Sequence, residues 1–414
     1  MLNKNNIREL AYVVIVDNVT PIEGYDRVEL AHVSGWTIVV GKGEFHPGDP
    51  AIYFEIDSKL PEVEPFTNME FLKSKHYKIK TQKMCKCISQ GLLMSAANFG
   101  WTIGYDTADS SGDVPYIIDN KNEHHYAGGE SRFLTAELGV TYADPGDNQR
   151  KAKSTDKYKS MAQRHGKLFA KQPFRFLMKH IWGKKLLFLF FGRKKDKKND
   201  WPAWVVKTDE ERVQNMPWIL EDKSEWIATE KIDGTSTTFT MKRGKGFRKN
   251  QFFICSRNVV FDTPEKVNKC YYDSNVYLEM AEKYHIKDVL ERILYEYPMA
   301  EWVTIQGETY GNKIQNRDYG LKDHKFMAFN LIMSHKGRWN SVDMSKYLSN
   351  FDIPCVPILS SSYILPDTVE DILKEATGKS QIDGNMREGI VFRSQDGTKS
   401  FKAVSNEYLL KYHG

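Results

Sequence analysis

The stretch that decides the fold reads Trp226-Ile-Ala-Thr-Glu-Lys-Ile-Asp-Gly-Thr-Ser-Thr-Thr-Phe239. An apolar run leads to Lys231, Asp233 follows two residues later, and Gly234 turns the chain. Residues 236–241 then alternate as in a half-buried strand. A lysine in such a turn becomes a nucleophile only where the site favours the neutral amine, since a free lysine titrates near ~10.4. Taken alone, the four residues from Lys231 to Gly234 are equally typical of a surface turn.

Other polar residues stand at the ends of short β-like runs further along the chain. In order, these segments are Ser256-Arg257-Asn258, Gly307-Glu308-Thr309-Tyr310-Gly311, Lys325-Phe-Met-Ala-Phe-Asn-Leu331, Arg387-Glu388-Gly389-Ile-Val-Phe-Arg393 and Lys399-Ser-Phe-Lys-Ala403. Strand ends are where a cleft lined by sheets presents its side chains. The series therefore indicates one site built from many strands.

This ordered set resembles the covalent nucleotidyltransferase superfamily of ATP-dependent ligases and mRNA capping enzymes. Its motifs I, Ia, III, IIIa, IV and V are matched in order by Lys231, Arg257, Glu308, Phe329, Glu388 and Lys402. Within the superfamily the chain is most similar to the RNA ligase 5 family. That similarity includes residues 207–215 upstream of motif I, residues 400–410 around motif V, and residues 7–92, which look like the family's N-terminal oligonucleotide-binding (OB) barrel.

Three features separate the chain from DNA ligases or leave a role open. Ser236 stands where DNA ligases usually carry an arginine, and a small polar residue there is typical of RNA ligases. Many ligases place two lysines two residues apart in motif V, whereas Ser400 precedes Lys402 here and the role of Lys399 stays open. Only twelve residues follow Lys402, so we expect no C-terminal barrel of the kind found in DNA ligases and capping enzymes.

The resemblance implies an ATP-dependent RNA ligase that joins RNA 3′-hydroxyl and 5′-phosphate ends, at nicks in a duplex with an RNA or DNA template. Lys231 would attack the α-phosphate of ATP and release pyrophosphate. AMP would then move to the RNA 5′-phosphate, and the 3′-hydroxyl would displace it. Two alternatives remain: another covalent nucleotidyltransferase, such as a capping guanylyltransferase or a DNA ligase, and a non-catalytic RNA-binding protein.

The resemblance also implies a role for each motif residue. Lys402 would hold the α-phosphate and lower the pKa of Lys231 by repulsion. Asp233 and Glu388 would orient the water shell of Mg²⁺ or Mn²⁺. The candidate nucleotide-binding residues are Glu230, Lys231, Arg257 (ribose or phosphate), Glu308 (ribose hydroxyl), Phe329 (stacking on adenine), Lys399, Lys402 and Arg212.

Charge and strand pattern divide the 414 residues into three parts. Residues 1–148, with β-rich runs separated by Gly, Pro and Asp, predict an OB-fold-like nucleic-acid-binding module. Residues 149–200 form a basic linker, and sixteen Lys or Arg against three Asp within residues 151–200 suit either an RNA backbone or a solvated segment. Residues 201–414 predict an α+β nucleotidyltransferase domain of antiparallel sheets, with one or two helices within residues 275–297.

Two further patterns lie in the predicted N-terminal module. Lys78, Lys80, Lys83 and Lys86 predict a strand with one cationic face for RNA phosphates, although edge lysines also protect against aggregation. Residues 101–148 read as loops with a short helix at 133–139. The pair His124-His125 has no acidic or histidine partner at useful spacing, so we expect a surface loop there rather than a metal site.

Cysteine usage and hydropathy address the surroundings of the protein. The five cysteines form no Cys-x-x-Cys pair, so neither a zinc site nor a disulfide framework is indicated, and a reducing, cytoplasmic environment fits. The apolar run at residues 186–191 is too short to span a bilayer; it either packs on a domain or binds a membrane surface. We expect a monomer without a stable protein partner.

Overall fold

The computed structural model describes residues 1–5, 7–108, 112–143, 177, 187, 201–261, 272 and 274–412. The chain divides into two compact units, residues 1–141 with 201–414, and residues 142–200. The predicted basic linker, residues 149–200, lies outside the described residues except at positions 177 and 187. Its role and the predicted domain boundaries therefore stay predictions.

Short antiparallel strands form the N-terminal part of the first unit. In chain order they are Ala11–Ile15 (β1), Asn18–Ile22 (β2), Tyr25–Val33 (β3), Trp36–Gly41 (β4), Pro50–Phe54 (β5), Ser58–Lys59 (β6), Gln82–Met84 (β7), Cys87–Ser89 (β8), Leu92–Met94 (β9), Thr102–Ala108 (β10), Gly112–Ile118 (β11), His124–Tyr126 (β12) and Thr141–Tyr142 (β13), with helix α1 at Glu70–Ser74. The orders β1-β5-β9 and β2-β3-β4 define two three-stranded sheets.

One apolar core joins these two sheets. Tyr12 from β1, Trp36 from β4 and Tyr53 from β5 are almost completely buried in it, with the rings of Trp36 and Tyr53 stacked at 6.1 Å. The side chains that alternate inward along β1, β3, β4 and β5 thus meet at a common centre, as in a small barrel. The four strands predicted from the β-rich runs of residues 11–57 are confirmed.

The loops predicted for residues 101–148 are wrong in part, because β10, β11 and β12 form a sheet. Gly104 pairs with Tyr116, and a Cβ at Gly104 would lie 2.5 Å from the Tyr116 ring. The glycine that suggested a loop instead admits an aromatic ring across the strand pair. The predicted helix at 133–139 is also absent: Phe133 bridges to Tyr12, and the following residues form a turn.

The predicted cationic strand face does not form as such. Lys78 is buried and forms a β-bridge with Lys59, whereas Lys80, Lys83 and Lys86 are exposed. The segment bends into the hairpin β7–β8, whose turn residues Cys85 and Lys86 have positive φ. Exposed lysines on a hairpin remain available for contact with phosphates, so the prediction for RNA stands without Lys78.

Two antiparallel sheets build the C-terminal part. Their strands are Glu225–Lys231 (β14), Thr235–Lys242 (β15), Gln251–Cys255 (β16), Trp302–Gly311 (β17), His324–Met333 (β18), Gly337–Arg338 (β19), Ile358–Ile364 (β20), Gly389–Ser394 (β21) and Ser400–Val404 (β22). The helices are Val276–Lys283 (α2), Ile286–Glu296 (α3), Ser341–Leu348 (α4), Val369–Ala376 (α5) and Asn406–Tyr412 (α6). The sheet orders are β20-β14-β21-β22 and β16-β15-β17-β18-β19.

Each sheet is covered by helices on one face. Helices α2, α3 and α4 share a core with the five-stranded sheet, where Phe239, Leu290 and Phe326 are fully buried. Helix α5 packs on the four-stranded sheet around Trp226 and Phe392. The α+β class with antiparallel sheets is confirmed, as are the two helices predicted within residues 275–297.

The N-terminal and C-terminal parts contact each other within the first unit. Ile88 of β8 packs with Val404 of β22 and Leu409 of α6. The guanidinium of Arg212 lies 5.8 Å from the Trp36 ring centre. An apolar contact and a cation–π contact thus tie the barrel to the end of the chain that carries motif V.

The described residues also address the expectations about membrane spans and disulfides. None of the helices there is long and apolar enough to cross a membrane. Among the described cysteines, Cys85, Cys87, Cys255 and Cys355, none forms a disulfide, and Cys270 lies outside the described residues.

Candidate active site

The turn from Lys231 to Gly234 carries the chain from one C-terminal sheet to the other. Strand β14 ends at Lys231 in the four-stranded sheet, and β15 begins at Thr235 in the five-stranded sheet. A Cβ at Gly234 would lie 2.4 Å from the carbonyl oxygen of Thr309, so only glycine fits this close approach to β17. The turn therefore places Lys231 where the two sheets meet.

A pocket of about 280 Å³ opens between the two sheets beside this turn. Its lining includes side chains from β14, β15, β17, β18, β21 and β22. Of the predicted site residues, it brings together Glu230, Lys231, Arg257, Glu308, Phe329 and Lys402. Five of the six motif residues thus lie around one cavity, and the sixth, Glu388, reaches it through Lys231.

Lys231 is held by an ion pair at the pocket wall. Its Nζ donates to Oε2 of Glu388 at 2.7 Å, and about a quarter of the lysine side chain is exposed. The pairing follows from the sheet register, because Lys231 lies opposite Gly389 on β21. Two motifs that are 157 residues apart in sequence therefore meet at one contact.

The carboxylates around Lys231 set its protonation. Burial by itself lowers the pKa of Lys231, but the carboxylates of Glu388, Glu308 and Asp233 outweigh burial and leave the pKa raised. The repulsion predicted between Lys402 and Lys231 is present, since Lys231 lowers the pKa of Lys402, but in the ligand-free site the pKa of Lys231 stays above its ordinary value. The pKa of Glu308 is raised to about 8, chiefly by burial. The negative charges of Glu388 and Asp233 raise it further, whereas the positive charge of Lys231 lowers it.

The pKa of Lys402, rather than that of Lys231, is lowered. Burial, then the positive charges of Arg212 and Lys231, lower its pKa to about 8. The backbone N–H of Lys402 donates to the carbonyl of Glu211 at 2.8 Å, which joins β22 to the segment upstream of β14. The Lys402 amine is therefore partly neutral at pH 8, and an anion that binds beside it favours its protonated form.

Asp233 is fixed behind the turn by a group of tyrosines. Tyr408 donates its hydroxyl to Asp233 Oδ2 at 2.8 Å, and the Asp233 backbone N–H donates to the Tyr319 hydroxyl at 2.8 Å. Arg317 lies 4.0 Å from the centre of the Tyr319 ring and forms an ion pair with Asp383 at 2.6 Å. The two tyrosine contacts orient Asp233, the acid of the Lys-x-Asp-Gly turn.

Two buried polar atoms at the pocket have no hydrogen-bond partner among the described residues. They are Oε1 of Glu230 and Nε of Arg393. The other oxygen of Glu230 accepts from the Gln381 backbone N–H at 2.7 Å, and Arg393 donates to Glu210 at 3.2 Å. A buried acceptor and a buried donor without partners are costly unless a ligand satisfies them.

Part of the pocket lining is apolar. Phe329 lines it with Ile232, Val356 and Val391, and the Arg393 guanidinium lies 5.9 Å from the Phe329 ring centre. An apolar slot with a buried carboxylate beside it suits a flat heterocycle that carries an amino group.

Three predicted residues are placed less directly. Arg257 lines the pocket but is exposed and pairs with Asp209 at 2.8 Å. Arg212 does not line the pocket; it lies next to Lys402 in a β-bridge. Lys399 lies outside the lining, and its Nζ pairs with Asp222 at 2.7 Å, so the structure does not support a nucleotide contact for Lys399.

Sequence reasoning missed several residues of the pocket. Thr208, whose hydroxyl lies 2.6 Å from that of Ser236, and Glu210 come from the segment upstream of motif I. Arg393 lies in β21, within the segment that carries motif IV, and Gln315 donates to the Gly234 carbonyl at 3.0 Å. The resemblance of residues 207–215 was the available signal for the first two, and only Arg212 was drawn from it.

Comparison with known proteins gives the class of the chain. Residues 224–413 match the RNA ligase family model, and residues 10–96 match an OB-fold domain model. The chain therefore combines an RNA ligase domain with an N-terminal OB-fold domain. Among curated proteins, none matches the sequence significantly.

Solved structures of a Naegleria gruberi RNA ligase resemble the chain over nearly its full length. The complex of that ligase with PPi is 25% identical, covers 98% of this chain and 99% of its own, and has a TM-score of 0.61. A mutant with AMP and Mn is 26% identical, with the same coverage and TM-score. A second mutant, with ATP and Mn, is 26% identical with a TM-score of 0.60, again over 98% and 99% of the two chains.

Proposed function

We propose that the chain is an ATP-dependent RNA ligase that joins 3′-hydroxyl and 5′-phosphate RNA ends at nicks, through lysyl-AMP and RNA-adenylate intermediates. The observation that carries the proposal is the placement of Lys231 Nζ at the pocket wall, 2.7 Å from Glu388, with Lys402 lining the same pocket. A nucleophile, a carboxylate that can take its proton as a base, and a cation for the phosphate are the parts that this transfer needs.

The pocket suits ATP in its shape and in its unsatisfied groups. The apolar slot beside Phe329 accepts the adenine ring, and Glu230 Oε1 accepts from the adenine amino group. Arg393 Nε and Arg257 are donors for ribose or phosphate oxygens. Lys402 holds the α-phosphate, because an anion beside a buried lysine favours its charged form.

The carboxylates around Lys231 suit Mg²⁺ or Mn²⁺. Asp233, Glu308 and Glu388 all act on the charge of one lysine, and their mutual repulsion contributes to the raised pKa of Glu308. Asp233 and Glu388 would hold the ion through water, since Mg²⁺ keeps several of its waters. When bound, such an ion supplies positive charge that offsets the carboxylates raising the pKa of Lys231 and that polarises the triphosphate.

The chain's own residues then account for the three steps. The Lys231 amine, once neutral, attacks the α-phosphorus and pyrophosphate leaves. The phosphoramide bond to Lys231 breaks when the RNA 5′-phosphate takes AMP, and Lys402 stabilises the charge on the transferred phosphate. The RNA 3′-hydroxyl finally displaces AMP, with Ser236 and Thr208 at the pocket edge in place of a DNA-ligase arginine.

RNA contacts outside the pocket come from the OB-fold domain in this proposal. Lys80, Lys83 and Lys86 are exposed on or beside the β7–β8 hairpin, and β8 packs against the motif V end of the chain. A cationic hairpin tied to the active-site strand suits an RNA backbone that enters the pocket. We further propose a monomer in a reducing, cytoplasmic compartment.

Nucleotide labelling tests the proposal. The purified protein, incubated with Mn²⁺ and either ATP or GTP labelled at the α-phosphate, should become covalently labelled by ATP alone. Labelling by GTP would favour a capping guanylyltransferase, and labelling by neither nucleotide would favour a non-catalytic RNA-binding protein.

The substitution Glu230→Gln should change nucleotide preference. The amide keeps an acceptor for the Gln381 N–H and presents an NH₂ group to the base, which pairs with guanine O6 and not with the adenine amino group. We expect ATP labelling to fall about tenfold or more, as for the loss of a hydrogen bond to a charged group, and the ATP-to-GTP ratio to fall with it. Glu282→Gln, on the exposed side of α2, is the control. An unchanged ratio would remove Glu230 from base recognition.

ATP affinity should depend on pH through Lys402. Its pKa is lowered to about 8 in the free protein, and bound phosphate favours the protonated form. Binding then takes up a proton above pH 8, so the dissociation constant should rise by up to about tenfold per pH unit there and level off below pH 7. Lys402→Arg, which stays charged, should flatten the curve.

Glu308 titrates in the same range and adds negative charge as the pH rises, so Glu308→Gln must be measured alongside. If Lys402→Arg keeps the wild-type slope and Glu308→Gln loses it, Glu308 is the group responsible and the role given to Lys402 is wrong.

A further inference from the structure

A second cluster of ionisable side chains lies in the OB-fold domain, far along the sequence from the pocket. It consists of Asp119, Glu123, His125 and Glu137, and one potential ligand atom from each lies within 4.8 Å of all the others. Asp119 follows β11, Glu123 precedes β12, His125 is in β12, and Glu137 is in the turn after Phe133. The residues therefore converge from a hairpin and a separate turn.

The ring of His125 is fixed with one nitrogen directed into the cluster. Its Nδ1 lies 2.9 Å from the carbonyl oxygen of Ser131 and must donate there, because a carbonyl only accepts. Trp101 stacks on the ring at 5.9 Å, and only 7% of the His125 side chain is exposed. Nε2 has no hydrogen-bond partner among the described residues and faces the acids, 3.5 Å from Asp119 Oδ2.

Asp119 is prepared in a similar way. Its Oδ1 accepts from the backbone N–H groups of Lys121 at 2.9 Å and Glu123 at 2.7 Å. Its Oδ2 is buried, and the described part of the chain offers it no hydrogen bond. One oxygen thus orients the carboxylate, and the other is left toward His125, an arrangement that resembles the outer contacts that orient metal ligands.

The spacings fit a coordination shell better than a direct pair. His125 Nε2 lies 3.5 Å from Asp119 Oδ2 and 3.8 Å from Glu137 Oε2, both beyond a good N–H···O bond. Two ligands bound tetrahedrally to zinc at their usual bond lengths stand about 3.3 to 3.5 Å apart. The observed gaps are close to those between neighbouring ligands.

The charges of the cluster also leave room for a dication. Asp119, Glu123 and Glu137 carry three negative charges, and Lys121 Nζ offsets one of them at 2.6 Å from Glu137 Oε1. With His125 neutral, the form in which Nε2 can bind a metal, the net charge is about −2. Like charges at this spacing repel, most strongly at the buried Asp119, and a cation that joins them offsets the repulsion.

We propose that Asp119, Glu123, His125 and Glu137 bind one Zn²⁺ ion, a site separate from the catalytic metal. Imidazole nitrogen and carboxylate oxygen are both ligands that zinc accepts, and zinc is usually four-coordinate. The ion would clamp the β11–β12 hairpin to the turn of residues 135–139. Thr135 in that turn accepts from the N–H groups of Leu10 and Ala11, so the clamp would stabilise the edge of the barrel.

Zinc content and thermal unfolding of the full-length protein test this inference, which does not rest on the proposed ligase activity. Protein stripped with EDTA is dialysed against Zn²⁺ and analysed for bound metal by mass spectrometry. The variants are His125→Gln and Asp119→Asn, with His124→Gln as the matched control, since His124 is exposed in the same strand. Co²⁺ in place of zinc reports four-coordinate geometry by its visible absorption.

Wild-type protein and His124→Gln should hold one zinc equivalent more than His125→Gln and Asp119→Asn. Added zinc should raise the unfolding temperature of the wild type and not of the two ligand variants. Circular dichroism of the zinc-free proteins shows whether each variant is folded before comparison. Equal zinc content in wild type and folded His125→Gln, or binding of Mn²⁺ with no binding of Zn²⁺, would overturn the proposal.

Discussion

Replacing Lys231 with alanine should abolish AMP labelling of the protein, with a loss of about 10⁴-fold or more as for other covalent nucleophiles. Lys231 is the lysine of the turn that joins the two sheets, and its Nζ pairs with Glu388 at 2.7 Å. The side chain is about a quarter exposed at the end of β14, so its removal leaves the sheet core intact. We expect the unfolding temperature and RNA binding to change little.

Two variants make this result specific. Lys231→Arg keeps the positive charge beside Glu388 but cannot supply a neutral nucleophile, so it should also be inactive. Lys346→Ala removes an exposed lysine from α4 and should label as the wild type does. A labelled Lys231→Ala protein, or full labelling of Lys231→Arg, would contradict the covalent role of this residue.

Sealing should require ribose at the 3′-hydroxyl side of the nick. Ser236 stands where DNA ligases usually carry an arginine, and its hydroxyl lies 2.6 Å from that of Thr208 at the pocket edge. A 2′-hydroxyl offers a donor and an acceptor to such polar groups. Loss of these hydrogen bonds should slow sealing about ten- to a hundredfold when the 3′ end is DNA.

The measurement is the sealing rate on four nicked duplexes, with RNA or DNA placed independently on each side of the nick. DNA on the 5′-phosphate side should cost much less than DNA on the 3′-hydroxyl side, because the phosphate is captured whatever its sugar. Pre-adenylated 5′ ends isolate the final step and show where the selection acts. Equal rates on RNA and DNA 3′ ends would make DNA repair the better assignment.

The parts of the site that lie at strand ends could be predicted from the sequence. Lys231, Asp233, Glu308 and Lys402 lie in polar segments beside β-like runs, and the resemblance to covalent nucleotidyltransferases singled them out. Antiparallel pairing brings Lys231, Glu308 and Lys402 to one cavity. The fold class followed from the same alternation. Distances between side chains could not be predicted from the sequence. Lys399 lies three residues from Lys402 in the sequence, yet its amine pairs with Asp222.

The errors share a physical cause, namely contacts between segments that sequence spacing does not reveal. The pKa of Lys231 depends on how close Glu388 and Glu308 lie, because their negative charges outweigh the effect of burial. His125 has acidic neighbours because the turn that carries Glu137 folds against the β12 strand. The helix expected at residues 133–139 fails because Phe133 and Leu134 pair with β1 instead.

A pulse–chase experiment tests the central claim, that AMP passes from Lys231 to RNA. The protein is first labelled with α-labelled ATP and Mn²⁺, freed of ATP, and mixed with a nicked RNA duplex that has a 3′-hydroxyl and a 5′-phosphate. The label should leave the protein, appear on the RNA 5′ end when the 3′-hydroxyl is replaced by hydrogen, and be released as AMP with a sealed strand when it is present. Label that stays on the protein in the presence of the nick, or a strand sealed without loss of label from the protein, would contradict the proposed mechanism.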